Sequence, residues 1–233
     1  MKAQALVLVP GLLCDTLLWQ PQIAGLGKAA ECWVADHTRA DTMAKVAAGI
    51  LENCPFKTFS LAGLSMGGYV ALEMMRQAPE RIARIALLDT AAGADTAEAT
   101  ERRNAFIALA DRGKFMGVTD TLLPQLVHAD QLDNGSLTAV VKTMARNVGK
   151  AAFIRQEKAI ISRADSRPLL PTIDCPALVL CGRQDILTPP ARHEEMAAAI
   201  QGASLEIVEH CGHLSTLEQP QAVNDALRLW LRT

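Results

Sequence analysis

Gly63-Leu64-Ser65-Met66-Gly67 sets a serine hydroxyl between two glycines. It follows the apolar run Phe59-Ser60-Leu61-Ala62 and precedes the helix-like run Gly68-Tyr69-Val70-Ala71-Leu72-Glu73-Met74-Met75. A strand, a sharp turn and a helix with serine at the apex is the pattern of a nucleophile elbow. The strained turn projects the hydroxyl from the sheet edge. Side chains two residues to either side would strike neighbouring backbone, so glycine is required there. The pentapeptide by itself also describes an ordinary glycine-rich turn; the flanking strand and helix give it weight.

A serine hydroxyl is a poor nucleophile at neutral pH. It needs a base to take its proton and an acid to orient that base. In doubly wound hydrolases with such an elbow these groups follow in the order serine, acid, histidine. The acid candidate is Asp185, in Val179-Leu180-Cys181-Gly182-Arg183-Gln184-Asp185, beyond the carboxyl end of a strand. Its bland reading is a charge at the start of the next helix. The rival acid is Asp89, after Ala86-Leu87-Leu88, which reads more simply as a turn residue. The base candidate is His213, in Glu209-His210-Cys211-Gly212-His213-Leu214, with His210 as its rival. Gly212 permits a tight loop that returns the imidazole toward the serine. His37 and His193 read as solvated, and His128 as a contact from the segment over the site. A tetrahedral intermediate also needs backbone N–H donors for its oxyanion. The Met66 N–H follows the nucleophile. The loop Val9-Pro10-Gly11-Leu12-Leu13 offers a second, from Leu12 or alternatively Leu13.

The elements that must hold these residues alternate. Ala5–Val9, Cys32–Ala35, Thr58–Leu61, Ile85–Leu88, Ala177–Cys181 and Leu205–Val208 read as short apolar strands. Several are apolar throughout, as strands covered on both faces are. Helical spacing marks Thr42–Asn53 and the C-terminal stripe Ala222, Val223, Ala226, Leu227, Trp230 and Leu231. Thr188-Pro189-Pro190 reads as a helix start, with Thr188 as N-cap. The pattern predicts an α/β fold with a mostly parallel, doubly wound sheet. Between about residues 94 and 166 the strands stop. Helices are expected over Ala97–Ala110, Asp120–His128, Ser136–Asn147 and Ala151–Ser162. The division expected is a core of residues 1–93 and 167–233 with a helical lid over 94–166. Candidate pocket residues in the lid are Phe106, Met116, Leu123, His128 and Met144; Arg102, Arg103, Arg146 and Arg155 read as solvated.

Half of the 233 residues are hydrophobic and the net charge is −2, which suits a folded core. With no basic stripe, nucleic acid and anionic membrane are poor partners. The first apolar run stops at Pro10-Gly11, too short for a secretory core, and no stretch approaches the ~20 apolar residues of a membrane span. A cytoplasmic setting is expected. The six cysteines form no CxxC pair, so reduced thiols and no metal site are expected.

Pro10-Gly11-Leu12, Gly63–Gly67, Gly182-Arg183-Gln184-Asp185 and Gly212-His213 together resemble the α/β-hydrolase superfamily over nearly the whole chain. Among its members the chain looks most like lid-bearing esterases, such as pimeloyl-acyl-carrier-protein methyl ester esterases and 3-oxoadipate enol-lactonases. The resemblance implies Ser65, Asp185 and His213 as a triad and Leu12 and Met66 as the oxyanion hole. It implies a cofactor-independent serine carboxylesterase acting on a small-molecule ester, as a monomer or homodimer. Acyl transfer, or thioester, lactone or carbon–carbon cleavage, are alternatives on the same triad; a non-catalytic ligand receptor is a more distant one. Two departures stand out. Many relatives have His-Gly where this chain has Pro10-Gly11, and the N-terminal hairpin of the family's sheet is missing. A sheet of about six strands is therefore expected.

Overall fold

The computed structural model describes residues 3–233; Met1 and Lys2, counted above with the core, lie outside the described residues. Six strands form one sheet: β1 Gln4–Val9, β2 Ala30–Val34, β3 Phe59–Leu64, β4 Ile82–Leu88, β5 Ala177–Gly182 and β6 Ser204–Val208. Their order across the sheet is β2-β1-β3-β4-β5-β6, and every neighbouring pair is parallel. Each strand except β6 is followed by at least one helix before the next strand. These are α1 Gln20–Leu26, α2 Met43–Asn53, α3 Met66–Gln77, α4 Ala97–Asp111, α5 Leu123–Leu126, α6 Gly135–Ile161 and α7 Pro190–Ala199; α8 Ser215–Glu218 and α9 Pro220–Trp230 close the chain.

β3 and β5 are buried at every residue, which explains why their sequences are unbroken apolar runs. Successive side chains point to opposite faces. Val7, Val9, Leu61, Ile85, Leu87 and Val179 therefore pack under α2, α3 and α7. Leu6, Leu8, Leu64, Leu88, Leu178 and Leu180 pack under α1, α6 and α9. The edge strands β2 and β6 are mostly half-buried or exposed. Removing a central side chain, as in Leu61→Ala, should cost about 2–5 kcal/mol through lost transfer energy and the cavity left behind.

The segment between β4 and β5 departs from expectation in three places. The helix foreseen over 120–128 is only the single turn α5: Pro124 in its first turn disfavours helix before it, and Val127 after it is extended (φ −132°, ψ 156°). The two helices foreseen over 136–147 and 151–162 are arms of α6, bent at Gly149 (φ 72°, ψ 174°). Arg103, read as solvated, is held between Asp95 and Glu157 at 2.7 and 2.8 Å, and Arg163 also reaches Asp95.

A parallel sheet puts all its strand-to-helix loops at one edge, where ligands of such folds bind. The four non-glycine residues with positive φ among the described residues all lie in loops at this edge: Leu13 (59°), Ser65 (56°), Asp89 (44°) and His210 (51°). They follow β1, β3, β4 and β6 respectively.

Candidate active site

Ser65 sits between β3 and α3 with φ 56° and ψ −115°. The turn is fixed by its neighbours. The Ser65 N–H donates to the Leu88 carbonyl (2.9 Å), and the Ser65 carbonyl accepts from Thr90 Oγ1 (2.8 Å). A Cβ on Gly63 would lie 2.1 Å from the Gly67 carbonyl oxygen, and one on Gly67 would lie 2.0 Å from the Val9 carbonyl oxygen. Both contacts are backbone, which cannot rotate aside. The two glycines are therefore required by the close approach of β3, α3 and β1.

His213 arrives from the loop after β6. Its Nε2 lies 2.9 Å from Ser65 Oγ, and its Nδ1 lies 2.8 Å from Asp185 Oδ2. With the Nδ1 proton donated to Asp185, Nε2 is left to accept from the serine hydroxyl. Asp185 and His213 are both buried, while Ser65 is half-buried and reachable. The Asp185 carboxylate also accepts the N–H groups of Leu187 (2.9 Å) and Thr188 (3.0 Å) and the Thr188 hydroxyl (2.7 Å). The expected capping role of Thr188 is thus corrected: its hydroxyl is spent on Asp185, and α7 begins at Pro190 with Pro189 as its cap.

Burial works against the ionised form of Asp185. The His213 charge and the Thr188 hydrogen bonds outweigh it, holding the carboxyl below its ordinary value. Burial likewise opposes the His213 imidazolium, but the charge and hydrogen bond of Asp185 dominate and raise it above the ordinary histidine value. The nearby thiols are poor competitors for the role of nucleophile. Burial pushes Cys181 up to about 12 and Cys211 higher still.

Asp89, the rival acid, is neither a plain turn residue nor exposed. It is fully buried and accepts from Gly182 N–H (3.1 Å), Ser215 N–H (3.3 Å) and the Ser215 hydroxyl. Burial, and then the Asp185 charge, push its carboxyl well above the usual range. It ties the loop of Asp185 to the loop of His213. Glu218 was not foreseen. Its carboxylate takes the N–H groups of Gly212 and Leu214, both at 3.1 Å, and of His128 at 2.6 Å. The His213 N–H itself donates to the Leu126 carbonyl (3.1 Å). Residues 126–128 are thereby stitched to the histidine loop. No local pattern signals this role: Ser215-x-x-Glu218 has a capping-box spacing, but the Ser215 hydroxyl goes to Asp89 and Leu214 is the cap of α8.

The readings of His37 and His193 as solvated are overturned; both are buried. His193 Nε2 accepts the Thr90 N–H at 2.9 Å, and burial lowers the imidazole to about 4, so it stays neutral. His37 Nε2 lies 2.9 Å from the Gly11 carbonyl oxygen and 2.9 Å from Gln156 Nε2. Gln156 Oε1 accepts the Leu13 N–H at 3.2 Å. That bond occupies Leu13, whereas no protein acceptor meets the Leu12 N–H among the described residues. Met66, the first residue of α3, has an N–H with no partner inside its helix. Of the expected pocket residues, Leu123 and Met144 are buried in the apolar layer that holds Leu64 and Leu214. His128 is half-buried, and Phe106 and Met116 are exposed, at 41% and 78%. The apolar side chains beside Leu12 and Leu13 are instead Phe115, Val118, Val148, Phe153 and Ile154.

Comparison with known proteins agrees with this architecture. A pimeloyl-[acyl-carrier protein] methyl ester esterase of Neisseria meningitidis serogroup C is 29% identical over 171 residues, covering 70% of this chain and 65% of the relative. The chain thus spans a little under two thirds of that relative's length. 3-Oxoadipate enol-lactonase 2 of Acinetobacter baylyi is 25% identical over 237 residues, 96% of this chain and 86% of the relative. A thermophilic esterase from Thermogutta terrifontis, solved with malate bound, superposes with a TM-score of 0.90 at 29% identity, covering 99% of this chain and 90% of that one. Residues 4–220 match the family described as the alpha/beta hydrolase fold, and the chain belongs to that family of hydrolases.

Proposed function

We propose that the protein hydrolyses carboxylic esters of small to medium acyl chain, without a cofactor, through Ser65, His213 and Asp185. The carrying observation is the continuous hydrogen-bonded line from Ser65 Oγ through His213 to Asp185. Ser65 attacks the ester carbonyl as His213 accepts its proton. The tetrahedral oxyanion is met by the N–H groups of Leu12 and Met66, each such donor being worth roughly 10²–10³ in turnover. His213 then protonates the leaving alcohol, and water deprotonated by His213 hydrolyses the acyl-enzyme. Asp185 holds the tautomer and stabilises the imidazolium.

Residues 94–166 act as the lid in this reading. What supports it is that Leu126 and Gln156 bond directly to His213 and Leu13, and that His128 bonds to Glu218, which holds the loop of His213. Phe115 and Phe153, with ring centroids 5.3 Å apart, supply an apolar wall beside Leu12 for the acyl chain. Among the described residues no helix is long and apolar enough to cross a membrane. The six cysteines are free, which suits a reducing compartment such as the cytoplasm. A cyclic ester is the second substrate class, favoured by the enol-lactonase relative. Turnover of p-nitrophenyl esters, graded in acyl length and terminal charge, tests the reading. Rates should be highest for short to medium uncharged acyl chains. A folded protein inert across both that panel and a lactone panel would refute it.

A further inference from the structure

His128 and His210 take no part in the proposed reaction, yet the fold brings them together. Their rings meet edge-on with centroids 5.8 Å apart, although one lies in the segment between β4 and β5 and the other after β6. Asp130 reaches toward both: its Oδ2 lies 3.4 Å from His128 Nδ1 and 3.8 Å from His210 Nδ1. One ligand atom from each of the three residues falls within 4.8 Å of the others. Ligand atoms around a tetrahedral zinc ion, with bonds of 2.0–2.1 Å, lie roughly 3.4 Å apart. Two edges of such a site are therefore nearly at length, and rotation of the exposed His210 ring can close the third; His128 Nδ1 also accepts the Asp130 N–H (3.2 Å), a bond the ion would replace.

The frame is held independently of any ion. The His128 N–H is fixed on Glu218 (2.6 Å), and the His210 carbonyl accepts from Gln219 Nε2 (3.0 Å). The left-handed backbone at His210 (φ 51°) belongs to the same turn. Among the described residues no lysine or arginine pairs with Asp130; its ion-pair partners are the two histidines. Two imidazole nitrogens and one carboxylate oxygen form a donor set of borderline hardness. Such a set suits zinc, whereas magnesium and calcium prefer oxygen ligands throughout.

We propose that His128, Asp130 and His210 bind one zinc-class divalent cation, with solvent in the fourth position. The ion would clamp residues 126–130 to the loop that carries His213. The absence of a CxxC pair in the sequence says nothing about such a site, because its ligands come from segments distant in the chain. Titration calorimetry of the untagged, metal-stripped protein with zinc chloride tests the proposal, alongside His210→Asn and Asp130→Asn. Asparagine tolerates the left-handed backbone at position 210, and thermal melting confirms that each variant folds. Wild type should take up one equivalent that each variant loses or binds at least ~10-fold more weakly, given that even outer partners of a metal site change affinity ~10–100-fold. Zinc should raise the Tm of wild type and leave that of His210→Asn unchanged. Magnesium should not distinguish wild type from either variant. Equal zinc affinity in all three proteins, or no uptake by wild type, would overturn it.

Discussion

At the sheet edge, Ser65, Asp185 and His213 stand on loops that leave the carboxyl ends of β3, β5 and β6; β3 and β5 are buried along their whole length. α4 and the second arm of α6 combine charge with apolar packing: Arg103 joins Asp95 to Glu157, Arg163 also binds Asp95, and Ala110, Phe153, Ala159 and Ile160 are buried. α4 leaves Phe106 and Leu109 exposed on its outer side. The first region fixes geometry by steric necessity, since a single Cβ at Gly63 or Gly67 would strike backbone. The second is held by side-chain ion pairs and apolar packing. In the proposed function, attack on the carbonyl belongs to the first region and the choice of substrate to the second. The Gln156 contact with Leu13 and the Glu218 contact with His128 join the two.

Variants in the two regions should therefore behave differently. Ser65→Ala should lose roughly 10⁶-fold in kcat, because members of a catalytic triad act as a unit. Retention of wild-type turnover would remove the distinction altogether. Asp185→Asn should cost about 10⁴-fold through the wrong imidazole tautomer, with the fold intact by circular dichroism. Gln156→Leu tests the join between the regions. It frees the Leu13 N–H and loosens the Gly11–Leu13 turn, so kcat should fall roughly 10–100-fold with KM little changed, as expected for a misplaced oxyanion donor. A change in KM alone would make Gln156 a substrate contact instead. Arg103→Met leaves Glu157 buried without its partner and should cost about 3 kcal/mol by urea unfolding. Any loss of turnover in that variant should follow the loss of folded protein.

The smallest effect concerns pH. His213 must be neutral to accept the serine proton, and Asp185 raises its pKa above the ordinary value of about 6.5. The acid limb of kcat/KM should therefore fall at a pH above 6.5. In Asp185→Asn the residual activity should have its limb shifted to lower pH, since the charge that raises His213 is gone. An unshifted limb would mean that another group controls it.

The parts of the molecule legible in the sequence are those in which one short stretch carries its own physical constraint. The Gly63–Gly67 turn, the unbroken apolar strands and the strand-then-loop settings of Asp185 and His213 are of this kind. Contacts between distant segments leave no such local mark. His37 meets Gln156, His193 meets Thr90, and Asp89 spans Gly182 and Ser215. From composition alone, a lone histidine or an aspartate after a strand reads as surface or turn. Burial in the segment between β4 and β5 was hard to read for a related reason. Phe106 and Met116 are large and apolar yet exposed, while Leu123 and Met144 are buried in the apolar layer. Helical spacing identifies an apolar face but does not say which partner covers it.

The central claim is that Ser65 is the nucleophile. Intact-mass spectrometry after treatment with a fluorophosphonate tests it most directly, with peptide mapping of the adduct. One adduct per chain, mapped to Ser65 and absent from Ser65→Ala and His213→Ala, is the result predicted. An adduct of equal yield in Ser65→Ala would contradict it.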